Sequence, residues 1–537
     1  MDLEKIANRS SSKTVPFLRL FLPLISGLLL EYFLSFKVVC LLPPFLISFI
    51  VLIFCDCIPL QMKFRTQWVY GIAIQVLFIS LGSIIMHLHQ DKPVTESGYN
   101  ADGSNNYLLI HVMNDPVQRR ASLKCLARIE GLVKNKTCFY QNEKVLIYFN
   151  NDRLSRGVAG GSWIITDKIL QPIENFKSLD FDYIKFCRLR HIYCQLYLKE
   201  NEYTIVPYAE TKSALTILGS FRKKILVIIK RYVPSKSENS LLEALMVGFT
   251  DDLDPVLMKF YADTGVIHII AISGLHLVLI CQFLQIVLLQ KGENKSGRWI
   301  KLFVMLACLW GYSLLSGASP SVIRAAGMFS LTLFAKTIFR ETTLYNILAA
   351  SAFLLLCFDP FWIFDTGFQL SYAAVMSLGL FSKPIRDLLL LKNKILSALW
   401  NATSVSIAAQ ILTTPVSIYY FHRFPTYFLF ANLLAVPLSS LILAGGIFLC
   451  VCNPIHPLAQ LCGWILGILI RVLNRFIEHL SGLPGAVVAN LRISLPGIIL
   501  LYIIICCSYH FVKRREKSWL YAGLGILAVF LVIRIIK

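Results

Sequence analysis

The chain has 537 residues, 56% of them hydrophobic and only 15% charged, where soluble globular chains hold about 25% charged residues. This composition excludes a soluble enzyme or a fibre. It predicts a polytopic α-helical membrane protein, with room for about a dozen spans of about 20 residues each and one extramembrane domain. Lys and Arg number 52 against 31 Asp and Glu, a formal charge of +21; this fits either a nucleic-acid partner or the Lys/Arg excess of cytoplasmic loops. The fifteen cysteines fall mostly in apolar runs, for example Cys281, Cys308, Cys357, Cys506 and Cys507, and none forms a C-x-x-C pair. No metal, redox site or cofactor is therefore expected.

Residues 1–90 form a first part. After a polar start with Lys5, Arg9 and Lys13, apolar runs near 17–35, 38–58 and 68–88 predict three spans. No cleavable signal peptide is expected, because a second and a third apolar segment follow the first at once. With the basic N-terminus inside, the loop holding Lys63 and Arg65 also falls inside, and the third span exits.

Residues 91–235 form a second, exported part with a connecting helix. From Tyr107 an alternating pattern runs through YLLIHVM, SLKCLARIEGLV, EKVLIYF and GSWIITDKIL, with turn-forming Asn, Asp and Gly between. Several short strands in so short a stretch predict a small β-barrel of OB type. Between 115 and 156 nine cations (Arg119, Arg120, Lys124, Arg128, Lys134, Lys136, Lys144, Arg153, Arg156) face four acids (Asp115, Glu130, Glu143, Asp152). Phe139, Tyr140 and Tyr148 are interleaved with them. Cations that track phosphates and aromatics that stack on bases make a single-strand surface, so the DNA-binding candidates are Arg119, Arg120, Lys124, Arg128, Lys134, Lys136, Phe139, Tyr140 and Lys144. The same residues also fit a solvated basic domain whose aromatics fill its own core. A hairpin turning at Lys134 to Lys136 sets Cys138 opposite a residue near 132, so no bridge to Cys125 is expected. Cys187 and Cys194 are placed about two turns apart on one helix, too far to bond.

Residues 236–537 form the third part. Spans are drawn near 267–290, 302–318, 322–338, 344–358, 366–382, 396–418, 427–451, 458–475, 495–512 and 519–535. Three basic clusters, Lys291 to Lys301, Lys383 to Lys394 and Lys513 to Lys517, all fall inside when the β-domain is outside. The drawing is self-consistent at about thirteen crossings, with the N-terminus cytoplasmic.

Four stretches carry residues that burial in lipid does not explain, and all four are drawn near the outer leaflet. The first, EALMVGFTDDL to TGVIHIIAISGLH, holds His268, Ser273, Gly274 and His276, where the Ser-Gly pair predicts a helix break. The two histidines, eight apart, are badly placed for a shared metal on an unbroken helix. The second, SGASPSVIRA, holds Ser321 and Arg324. An arginine at the centre of a span costs at least about 2.5 kcal/mol and faces a partner or a wet path. Two readings stay open for it: a bidentate phosphate contact, or snorkelling and pairing with an acid, for which Asp365 is the candidate. The third, DPFWIFDTGFQLSY, holds Asp359, Asp365, Gln369 and Tyr372; the fourth, TTPVSIYYFHRFPTYFLFANLLAVPL, sets His422 and Asn432 among prolines that mark kinks. Together they predict a polar path that opens outside.

These four ordered motifs resemble the ComEC-type competence family, and the resemblance covers nearly the whole chain. It implies a multi-pass protein of the bacterial cytoplasmic membrane through which transforming single-stranded DNA passes. It also implies an exported OB-like domain handling DNA on the outer face, a DNA receptor there, and a cytosolic helicase-like ATPase as motor. The path candidates are then His268, Ser273, Gly274, His276, Ser321, Arg324, Asp365, Gln369, Tyr372, His422 and Asn432. Many members end in a metallo-β-lactamase-like domain with an H-x-H-x-D-H motif. That motif is missing from this sequence, so no nuclease activity is expected in this polypeptide and a separate nuclease becomes a possible partner. No Walker A pattern occurs either, so the reading is a channel in contact with lipid and single-stranded DNA, with no catalytic residue. Two rivals are a membrane-embedded enzyme on lipid-linked phosphates, which dense acidic ligand clusters would favour, and a small-solute secondary transporter, which inverted repeats would favour.

Overall fold

A computed structural model of the chain describes residues 15–58, 65–90, 107–118, 122–134, 137–152, 154–175, 182–206, 214–272, 274–288, 295–338 and 342–536. It is mostly helical. Helices α1 (Pro16–Leu34), α2 (Val38–Cys57) and α3 (Gln67–His89) are the three spans expected before the sheet. Helices α1 and α3 meet through small residues: a Cβ on Gly27 would collide with the backbone carbonyl of Ile79, and one on Gly82 with that of Leu24. Backbones this close are how small residues hold helices together in lipid.

Nine of the ten spans drawn in the third part each fall on one helix. In chain order, α4 (Tyr183–Arg188) belongs to the sheet region, and α5 (Ala214–Tyr232), α6 (Lys236–Val247), α7 (Pro255–Asp263) and α8 (Ile267–Ile270) lead into the bundle. The bundle continues with α9 (Gly274–Leu288), α10 (Lys295–Leu315), α11 (Pro320–Thr337), α12 (Leu344–Phe358) and α13 (Thr366–Arg386). It ends with α14 (Lys394–Phe421), α15 (Phe428–Cys452), α16 (His456–Ser481), α17 (Leu495–Arg514) and α18 (Lys517–Ile536). Among the described residues eight helices are long and apolar enough to cross a membrane, and α9, α12 and α18 contain shorter apolar stretches. Helices α11 and α13 fall outside both groups; α11 holds Arg324 and Lys336, and α13 holds Lys383 and Arg386. The span drawn at 267–290 is corrected to two pieces, α8 and α9, because the chain leaves the helix at Ala271 with extended backbone.

The second part is an eight-stranded sheet made of β1 (Tyr107–Val112), β2 (Val117–Gln118), β3 (Ser122–Lys134), β4 (Thr137–Asn150), β5 (Trp163–Thr166), β6 (Gln171–Pro172), β7 (Ile192–Leu198) and β8 (Tyr203–Val206). Its order is β6-β7-β4-β3-β1-β5-β8, with β2 on β3. Among the described residues β6 and β8 do not pair with each other, so the closed barrel expected from the sequence is not shown. Strands β4 and β7 run parallel, a pairing that needs the crossover through α4. One face buries Leu108, Ile110, Ala127, Val145, Ile147 and Leu196 as its core. Cys187 and Cys194 do not share a helix: the first is in α4 and the second in β7. Cys138 pairs with Val133 and Cys125 with Ile147, so the register keeps these two cysteines apart.

Candidate functional site

The four motifs lie in separate helix pairs, yet each touches the next. The first meets the second where Ser321 Oγ donates to the Ile272 carbonyl at 2.9 Å, just beyond the α8 break. Gly248, at φ +67°, ends α6 in the left-handed conformation that glycine adopts most readily. A Cβ there would stand 2.7 Å from the carbonyl oxygen of Ser316. The second motif meets the third where Arg324 Nη1 lies 3.6 Å from Asp365 Oδ1. The third approaches the fourth where Tyr420 stands near Gln369 and Asp365. The fourth returns to the first twice: Arg423 pairs with Asp263 at 3.4 Å, and Pro425 fills the space a Cβ on Gly265 would take. Strands β9 (Phe424–Pro425) and β10 (Val487–Val488) pair beside this contact.

Asp365 has two tasks. As the N-cap of α13 it accepts from the Phe368 amide at 2.8 Å, where a carboxylate also meets the positive end of the helix dipole. It is at the same time the acid beside Arg324. The Arg324 guanidinium is almost wholly buried, and its Nε has no hydrogen-bond partner among the described residues. Room for it comes from Gly367, where a Cβ would stand 3.1 Å from Asp365 Oδ1 and 3.2 Å from Arg324 Nη2. Gln369 Nε2 donates to the Ile363 carbonyl at 2.9 Å, and Tyr372 shares a 3.0 Å hydrogen bond with Ser351. Of the two readings open for Arg324, the acid partner named in the sequence is the one the geometry contains.

The remaining path candidates are more dispersed. His276 is buried, Gly274 opens α9 with its Cα side turned to Ala325, and His268 is exposed on α8. Ser273 lies outside the described residues. His422 ends α14 at φ +55°, and its carbonyl accepts from Leu491. His422 Nδ1 and Asn432 Oδ1 have no hydrogen-bond partner among the described residues. Sequence reasoning missed Ser351, Tyr420 and the Arg423–Asp263 pair, since none breaks a local pattern.

On the sheet, Arg119, Arg120 and Lys136 lie outside the described residues, as do the side chains of Lys134, Phe139 and Tyr140. Lys124, Arg128 and Lys144 all project from the face opposite the core, because each alternates with a buried neighbour. The sheet touches the bundle near the third motif, where His191 Nε2 lies 3.4 Å from Asp359 Oδ2 and the His191 ring meets Phe361 edge-on.

Residues 245–515, which hold all of these motifs except Glu243 and Ala244 at the start of the first, match the family described as Competence protein. The chain belongs to this competence family. It is 27% identical over 375 residues to ComE operon protein 3 of Bacillus subtilis strain 168, covering 68% of this chain and 46% of that protein. To Recombination protein 2 of Haemophilus influenzae it is 26% identical over 301 residues, covering 53% of this chain and 36% of that one. Uncharacterized protein YcaI of Escherichia coli K12 is 26% identical over 230 residues, 42% of this chain and 30% of its own. These alignments span less than half the length of each curated relative. No solved structure matches the chain. For the competence family, the ring of contacts just described joins the very segments by which the sequence resembles it.

Proposed function

We propose that this chain carries single-stranded DNA across the bacterial cytoplasmic membrane during natural transformation. The observation that supports it best is the closed ring of contacts among the four competence motifs, centred on the buried Arg324–Asp365 pair. A translocated polyanion needs attraction at the mouth and no deep phosphate trap along the way. A guanidinium already partnered by a carboxylate meets both needs. It offers hydrogen bonds to a passing phosphate, and Asp365 competes for the same donors, so the phosphate is released again.

In this reading residues 1–90, 91–235 and 236–537 are three functional parts. The N-terminus is cytoplasmic, the sheet is exported as an OB-like domain, and a receptor hands DNA to it. A cytosolic ATPase supplies the force, since the chain has no Walker A pattern. The chain acts as a channel, and His268, Ser273, His276, Gln369, Tyr372, His422 and Asn432 hydrate or contact the strand. The test is arrival of labelled transforming DNA in the cytoplasm of a deletion strain carrying either this gene or an empty vector. Uptake restored only by the gene supports the proposal. Equal uptake without it removes the assignment.

A further inference from the structure

The second face of the sheet carries an arrangement that folding does not explain. Cross-strand registers set Trp163 of β5 beside His111 of β1, His111 beside Arg128 of β3, and Arg128 beside Lys144 of β4. Four adjacent strands therefore present one straight row. The Trp163 and His111 rings stack at 4.9 Å with an interplanar angle of 29°. Next to them, two cations stand directly opposite each other. Like charges facing across a strand pair destabilise a sheet, and here burial and Arg128 both push the Lys144 ammonium below its ordinary range, opposed by Asp359. Asp359 is the one acid that faces Lys144 among the described residues, and it is already engaged by His191 at 3.4 Å and by the Phe361 amide. None of the four row positions is acidic.

The rest of this face is occupied. Helix α4 covers Leu126, Leu146 and Tyr148 with Cys187, Tyr183 and Phe186. Lys124 is bound to the Tyr183 hydroxyl at 3.0 Å, and Arg190 lies over the Phe186 ring. The aromatic and cationic side chains beside α4 thus pack its own small core. Trp163, His111 and Arg128 stay out of that small core, while Lys144 Nζ reaches the Arg190 carbonyl just past α4 at 3.4 Å, and the row ends where the sheet touches the third motif.

We propose that this row is the single-stranded DNA contact of the sheet, with bases stacking on the Trp163–His111 pair and phosphates held by Arg128 and Lys144. This rests on the channel reading and moves the binding surface away from the hairpin at 134–140. An aromatic platform next to a cationic groove is the combination that holds single strands without sequence preference, and two cations facing each other across a strand pair, with Asp359 alone opposing them at Lys144, are a cost that a bound polyanion relieves. The row also runs from β5 across the sheet towards Asp359 of the third motif.

The test uses the purified full-length chain in lipid nanodiscs, a fluorescein-labelled oligothymidylate and an abasic strand of the same length. The parent is expected to bind oligothymidylate with an affinity that falls as salt rises. His111→Ala and Trp163→Ala are each expected to weaken oligothymidylate about tenfold and the abasic strand hardly at all. Arg128→Ala is expected to weaken both strands and to flatten the salt dependence. Tyr197→Ala, which removes a 52% exposed ring stacked on Tyr148 in the other row, is expected to leave both affinities unchanged. The proposal is overturned if the parent binds neither strand, or if His111→Ala and Arg128→Ala bind within about twofold of the parent. It is equally overturned if Tyr197→Ala is the variant that loses binding. DNA uptake by the parent gene in the deletion strain is scored separately, so loss of the row leaves the channel reading standing and loss of uptake removes both.

Discussion

Arg324 and Asp365 form an ion pair at 3.6 Å whose two members are unequally buried, with side-chain exposures of 4% and 29%. The asymmetry decides what each truncation does. Removing the acid strands a buried guanidinium, a loss that costs about 3–5 kcal/mol in buried pairs and less here because water reaches Asp365. Removing the arginine leaves a carboxylate that water and the Phe368 amide still satisfy. Asp365→Ala is therefore expected to lower the thermal unfolding midpoint in detergent more than Arg324→Ala does. Arg324→Ala is expected to abolish transformation while membrane insertion and abundance persist. Normal transformation by Arg324→Ala would take this residue off the path.

Gly367 gives a gentler handle on the same pair. Its absent Cβ leaves the gap into which the guanidinium fits, with both charged groups within about 3.2 Å of where a methyl would go. At such distances the neighbours must move by a few tenths of an ångström, and a buried ion pair depends on its geometry. Gly367→Ala is expected to reduce DNA uptake without loss of protein. Gly327→Ala, also on a helix but with nothing near the added methyl, is expected to be neutral. Equal uptake by the two variants would argue that the pair has no bearing on transport.

The spans were readable because lipid imposes a length and an apolar composition on every crossing, and α1, α2, α3 and the later helices fall on the apolar runs. The four motifs were readable for the opposite reason, since Arg324, Asp365 and Gln369 are costly in apolar surroundings. Their ring was not, because contacts such as Ser321 to Ile272 and Arg423 to Asp263 join residues far apart in sequence and leave no periodic trace. From sequence alone the stretch around Cys194 reads as helix, although IYCQLYL alternates buried and open positions once its partner β4 is known. The Trp163–His111 stack was equally hidden: it exists only through a register between β1 and β5.

Packing between the first and third helices makes a prediction independent of transport. Gly27 and Gly82 face each other's helix at backbone contact, and Ser83 Oγ donates to the Gly27 carbonyl at 3.0 Å. The same interface buries Glu31, which is held by His87 Nδ1 at 2.8 Å. Any side chain at Gly27 must push α1 from α3 and open that buried pair. Gly27→Val is expected to reduce the amount of protein recovered from membranes severalfold, whereas Gly71→Val, at an open position on α3, is expected to leave it unchanged. Equal recovery of both variants would mean that the helices separate without cost.

Glu243 links the first motif to pH. It is fully buried on α6, which is too short to span a membrane, and its carboxylate lies 3.7 Å from Lys230 Nζ. Burial raises its pKa from 4.5 to about 7, an effect that Lys230 opposes and Asp252 adds to. The folded chain therefore keeps a proton between these two values that the unfolded chain has already released. By linkage, stability contributed at this site is present in full below the unfolded value and falls as pH rises towards 7. The parent's unfolding midpoint is expected to drop between about pH 5 and about pH 8, and Glu243→Gln, which keeps the shape and cannot ionise, is expected to lose that part of the slope. Lys230→Met removes the opposing charge and is expected to steepen it. Identical slopes in the parent and in Glu243→Gln would show that the carboxyl ionises alike in the folded and unfolded chain.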